Sequence, residues 1–176
     1  LHHRRENVLS PARSFVVRQL QQHLSEDEAL VEYTALGDEL LAFIVMRGRV
    51  YVARKLASVK EIDERLNAMR SQIDTLRFGS PTMRKYLPTL TAKINVYLKK
   101  LYDALIRPLE QILEQRTLII VPCGRLHYLP FHALHDGEKY LIERCEISYA
   151  PSAAMFLQCV QRGAHSLNRA LILGVS

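Results

Sequence analysis

The run Leu118-Ile119-Ile120-Val121, closed by Pro122, is the feature that most narrows the folds open to this chain. An alternating strand can leave one face to water, but consecutive branched apolar residues need cover on both sides. The run therefore belongs inside a sheet with other elements on each face. The turn signal Cys123-Gly124 ends it. The fold class this predicts is α/β, with a mostly parallel sheet and helices.

The flanking patterns fill in that architecture. Ser10-Pro11 opens a helical pattern that ends near Leu24-Ser25, with Phe15, Val16, Leu20 and Leu24 as its apolar side. Three strand-like runs follow, Ala29 to Leu36, Leu40 to Met46 and Val50 to Leu56, separated by Gly37-Asp38 and Arg47-Gly48-Arg49, and they predict an antiparallel meander. Ser58-Val59-Lys60-Glu61 has the form of a capping box. Behind it, Val59, Ile62, Leu66, Met69, Ile73 and Leu76 form one helical stripe. Gly79-Ser80-Pro81 breaks the chain, and a second amphipathic helix is expected from about Thr89 to about Leu113, bent or restarted at Pro108. Its inner side is Leu90, Ile94, Tyr97, Leu98, Leu101 and Leu105. After the apolar run come a loop through Leu129-Pro130-Phe131, short strands at Tyr140 to Ile142 and Glu146 to Tyr149, a helix capped by Ser152, and a strand from Ala170 to Leu173.

Composition excludes several classes. With 176 residues, 48% of them apolar and 24% charged, the chain can hold a core without disulfides and is neither disordered nor collagenous. No run of about 18 uncharged apolar residues is present to span a membrane. The net charge of +6 permits nucleic acid without requiring it. An odd, sparse set of three cysteines and the lack of a secretory leader pattern point to a reducing, cytosolic compartment. Leu1 at the start, and a last strand that reaches Gly174 where a helix would normally follow, lead to the expectation of a piece of a longer chain, incomplete at its carboxyl end.

Several segments, in order, resemble the CHAT domain, a caspase-like module often found downstream of tetratricopeptide repeats and related to separases and caspases. Val31-Glu32-Tyr33 is similar to that family's opening strand, and Tyr102-Asp103-Ala104-Leu105-Ile106-Arg107-Pro108-Leu109 to its helix end. Leu118 to Leu126 resembles "L-I-I-V-P-D-G-x-L", and Leu129-Pro130-Phe131-His132-Ala133-Leu134 resembles "L-P-F-x-A-L". Tyr140-Leu141-Ile142-Glu143, Ile147 to Ser152 and Leu171-Ile172-Leu173-Gly174 continue the match. The likeness runs from about residue 28 to the end, with residues 1–27 expected to be a linker and helix that closes an upstream helical repeat region. Cys123 departs from the pattern, standing where the family usually has aspartate, a residue that steadies such a turn by bonding to its own backbone.

The resemblance implies a cysteine-peptidase-like fold whose nucleophilic cysteine and partner histidine follow later strands. In the family's order both of their motifs come after the last strand named here. Residues 1–176 are thus expected to be the non-catalytic amino-terminal portion of a protein whose parent is a cysteine endopeptidase cleaving protein substrates; the alternative is a catalytically inactive scaffold or interaction module. Partners implied are a peptide or protein substrate, engaged through the missing half, and an upstream repeat region or regulatory protein. Neither a membrane nor nucleic acid is an expected partner. An isolated chain is expected to self-associate through the exposed edge at Ala170 to Leu173 or to need its remaining half.

No catalytic, cofactor-binding or metal-binding residue is assigned within residues 1–176, and each local candidate has a plainer reading. Cys123 and His127 flank a glycine turn, which suits thiolate chemistry, but their adjacency is only in sequence and nothing nearby orients the histidine. His127, His132 and His135, with Asp136, cluster as zinc ligands do, yet their spacings define no common face. Arg47, Arg49, Arg54, Lys55 and Lys60 make a basic stretch with only Tyr51 to stack on a base, so a solvated strand face is the preferred use. Lys93, Lys99, Lys100 and Arg107 lie opposite the apolar stripe of their helix, whose inner side is expected to face the core rather than a partner helix.

Overall fold

A computed structural model describes residues 11–77, 86–114 and 117–162. The elements are α1 (Pro11–His23), β1 (Glu28–Leu36), β2 (Glu39–Met46), β3 (Arg49–Ser58), α2 (Val59–Arg77), α3 (Leu87–Leu105), β4 (Thr117–Val121), β5 (Glu146–Tyr149) and α4 (Ala153–Arg162). The strands form one sheet in the order β3-β2-β1-β4-β5. Antiparallel pairing joins β3, β2 and β1 into the expected meander, and β1, β4 and β5 run parallel. The meander shares the sheet with the parallel strands, because Glu28 to Glu32 of β1 lie in register with Thr117 to Val121 of β4.

The apolar run is covered on both faces. Leu118 and Ile120 enter a core closed by Ile62, Leu66 and Met69 of α2 and by Leu98, Leu101 and Leu105 of α3. Ile119 and Val121 enter a smaller core on the opposite face, closed by Leu20 and Leu24 of α1 and by Ala153 and Leu157 of α4. The two-residue period of the strands produces this division, since Leu30 and Val45 go to the second core while their neighbours Val31 and Ile44 go to the first. The link from β4 to β5 contains no α-helix; it folds into short 3₁₀ turns that bury Leu126, Phe131, Leu134 and Leu141 in the larger core. Parallel strands need such a crossover, and its buried side chains let it stand in for a helix.

Four local readings are revised. The second long helix ends at Leu105 rather than near Leu113, and the chain restarts at Arg107–Leu109 as a 3₁₀ turn around Pro108. Tyr102, which lies outside the expected stripe, is buried beside Leu101. The run at Tyr140 to Ile142 is a 3₁₀ turn over Leu141–Glu143 with one bridge from Tyr140 to His135. At the start of α2 only half of the capping box forms: the Glu61 N–H donates to Ser58 Oγ at 3.3 Å, while the Glu61 carboxylate pairs with Arg65. Asp38, from the β1–β2 turn, completes the cap by accepting from Lys60 N–H at 3.1 Å and from the Ser58 hydroxyl at 2.6 Å. Ser10, Gly79-Ser80-Pro81 and the strand expected at Ala170 to Leu173 lie outside the described residues.

Candidate functional site

In an open α/β sheet, binding and chemistry collect beyond the carboxyl ends of the parallel strands. Here the chain leaving β4 passes through Pro122 to Cys123 in extended conformation and turns at Gly124, whose φ of +50° suits a residue without a Cβ. The Cys123 side chain makes no capping bond, so the turn is closed by its backbone, with Leu126 N–H donating to Cys123 O at 3.0 Å. An aspartate would have added a side-chain acceptor here; the turn forms without it. Arg125 then reaches across to Asn67 and Asp63 of α2, tying the turn to the helical layer.

Burial pushes the Cys123 thiol up, and does the same to Cys145. A nucleophilic cysteine needs the opposite, a positive charge or donor that favours thiolate strongly enough to outweigh burial; Arg144 acts in that sense on Cys145, but burial is the larger effect. Cys145 is directed at Leu141 O instead, 3.6 Å from Sγ. Cys159 is exposed on α4. Burial thus favours the protonated form of Cys123 and Cys145.

The three clustered histidines go to separate tasks. His127 is exposed on the 3₁₀ turn after Gly124. His132 meets Tyr149 at the end of β5: its backbone N–H donates to the phenol oxygen at 3.4 Å, and that hydroxyl lies 3.2 Å from Nδ1, to which it can donate. His135 accepts from Gly137 N–H at 3.1 Å and packs edge-on to Tyr140. Among the described residues no group of three ligating side chains comes together to hold a metal ion.

The polar cluster that does assemble was not anticipated from sequence. It joins α3 to the crossover. The buried Tyr102 donates to Glu110 at 2.6 Å, Arg144 reaches both of them, and Arg144 also pairs with Asp136. Asp136 accepts from the backbone N–H groups of Glu138 and Lys139 at 2.7 and 2.8 Å, which hold its carboxyl below the usual carboxylate range, with Arg144 adding to the effect. On the outer side, Asp103 accepts from Lys99 and Arg107 at 2.6 and 2.7 Å. The intrahelical spacing of Lys99, Asp103 and Arg107 is a signal visible in sequence. The long-range contacts of Arg144 carry no such local signal.

The parallel array, the two covered faces and the turns at the strand ends define a mixed α/β sheet domain. The family model of the CHAT domain matches residues 95–176, from within α3 onward. A search of curated proteins found no match.

Proposed function

We propose that this chain is the non-catalytic portion of a CHAT-type, caspase-like cysteine endopeptidase module acting in the cytosol. The observation that carries this reading is the parallel β4–β5 array inside the CHAT-matched stretch, with strand ends that open onto one side of the sheet. Such an array is the frame on which a cysteine and histidine from further strands would be mounted. Chemistry would then follow the usual course, with a thiolate attacking the peptide carbonyl and the histidine passing its proton to the leaving amine. Cys123, although at a strand end, supplies turn and packing atoms, since burial favours its protonated form. No helix among the described residues is long and apolar enough to cross a membrane.

Labelling of the parent polypeptide with a peptidyl electrophile, followed by peptide mapping, tests this reading. The expected adduct forms on a cysteine other than Cys123, Cys145 or Cys159 and is lost when that cysteine is replaced. An adduct on Cys123 would overturn the assignment of this chain as the non-catalytic portion. Absence of any rapid adduct would replace the peptidase reading with that of an inactive interaction module.

A further inference from the structure

The outer strand β3 is the least explained part of the molecule. It stands at the end of the sheet order, so its outward N–H and C=O groups have no strand to pair with among the described residues. Proteins usually blunt such an edge. Here the blunting covers only its second half: opposite Leu40 to Ala42 the register jumps from Ala57 to Ala53, Lys55 has a φ of +55°, and Glu39 fills the irregularity by accepting from Lys55 N–H and from Arg54. Arg49 to Ala53 remain a regular, pairable segment.

The two faces of that segment differ in chemistry. Val50 and Val52 lie opposite Val45 and Phe43, on the α1/α4 side of the sheet, and Phe43, Val50 and Val52 are 39%, 43% and 51% exposed. Arg49 and Tyr51 lie opposite Met46 and Ile44, on the α2/α3 side, where with Arg47 they line a groove of about 440 Å³. From Leu40 to Lys60 the chain has five basic residues and no acidic one. An added strand alternates its side chains in the same way. A partner that matches both faces must therefore alternate apolar residues, toward Val50 and Val52, with acidic ones, toward Arg47 and Arg49.

We propose that the Arg49–Ala53 edge of β3 is a docking site for an extended acidic-apolar peptide segment of a partner protein, bound by strand addition. A second copy of this chain is disfavoured as the occupant, because pairing β3 with itself brings its cationic side chains together. Single-stranded nucleic acid is disfavoured by the lone aromatic in the stretch. Glu26 and Glu114 line the same groove as Arg47 and Arg49, so the charge that favours an acidic partner is the excess carried by the strand itself.

The test uses the full 176-residue chain and an octapeptide of alternating valine and glutamate, read by backbone amide shifts and hydrogen exchange. Binding is expected to shift the amides of Arg49 to Ala53 and slow their exchange. Methylating alternate peptide nitrogens on the pairing side leaves charge and side chains intact and is expected to weaken binding about tenfold, because it removes backbone donors. The double variant Arg47→Glu and Arg49→Glu is expected to lose the acidic peptide by about tenfold or more and to accept a valine-lysine peptide instead. Undiminished binding of the methylated peptide would overturn strand addition. So would no binding at all, shifts confined to other elements, or tighter binding of an oligonucleotide at the same residues.

Discussion

The antiparallel and parallel halves of the sheet share β1 yet meet solvent differently. In the parallel half, every residue from Leu118 to Val121 is buried and each face has its own core. In the antiparallel half, β2 buries most of its residues while β3 leaves Val50 to Val52 exposed. The CHAT match begins at residue 95 and covers the parallel strands β4 and β5, whereas the meander lies before it. The difference sets strands buried on both faces beside an outer strand that leaves an accessible edge.

Phe131 offers the largest way to break this contrast. It is fully buried, packs against Tyr33 at 5.4 Å and reaches Tyr149, so it links β1 to the crossover and to the end of β5. Phe131→Ala should cost about 3–5 kcal/mol in chemical unfolding, while Val52→Thr on β3 should move stability by about 0.5 kcal/mol or less, as surface changes do. Equal losses at both sites would erase the distinction. A smaller effect is expected at Tyr33, whose hydroxyl donates to Leu105 O at 3.0 Å in the buried core. Tyr33→Phe should cost about 1–3 kcal/mol by leaving that carbonyl without its donor.

The acidic turn residues sharpen the picture through pH. Asp38 has its carboxyl lowered first by the Ser58 hydroxyl and then by Lys60 N–H, and Asp136 by the N–H groups of Lys139 and Glu138. A carboxyl whose folded pKa lies below its unfolded one adds stability above the ordinary carboxylate range and loses it as pH falls through the folded value. Stability should therefore decline on acidification. Asp38→Ala should flatten part of that decline and lower stability at neutral pH, measured by denaturation across an acid series.

How much of this was legible in the sequence depends on the range of the signal. The buried run of β4, the meander and the middle of the α2 stripe follow from residue spacing alone: Ile62, Leu66 and Met69 are buried as expected and Val59 partly so, whereas Ile73 is exposed. The Ser152 cap of α4 was also readable, with Met155 N–H donating to Ser152 Oγ at 3.1 Å. The crossover was harder. Tyr140 to Ile142 has strand-like composition, but packing Leu141 into the core beside Leu134 turns it into a 3₁₀ segment. Tyr102 escaped because its place on α3 is set by Glu110 and Arg144, outside that helix. The sequence also brings Cys123 and His127 close together, while their chemistry depends on burial and partners that spacing does not encode.

The most direct measurement is the pH dependence of alkylation at each cysteine of the folded chain, followed by peptide mapping. Exposed Cys159 should react first, and Cys123 and Cys145 should lag behind a free thiol, their rates still rising through the alkaline range where burial has moved them. A Cys123 that reacts faster than a free thiol and levels off below neutral pH would be an activated nucleophile, and would contradict the account of this chain as a frame.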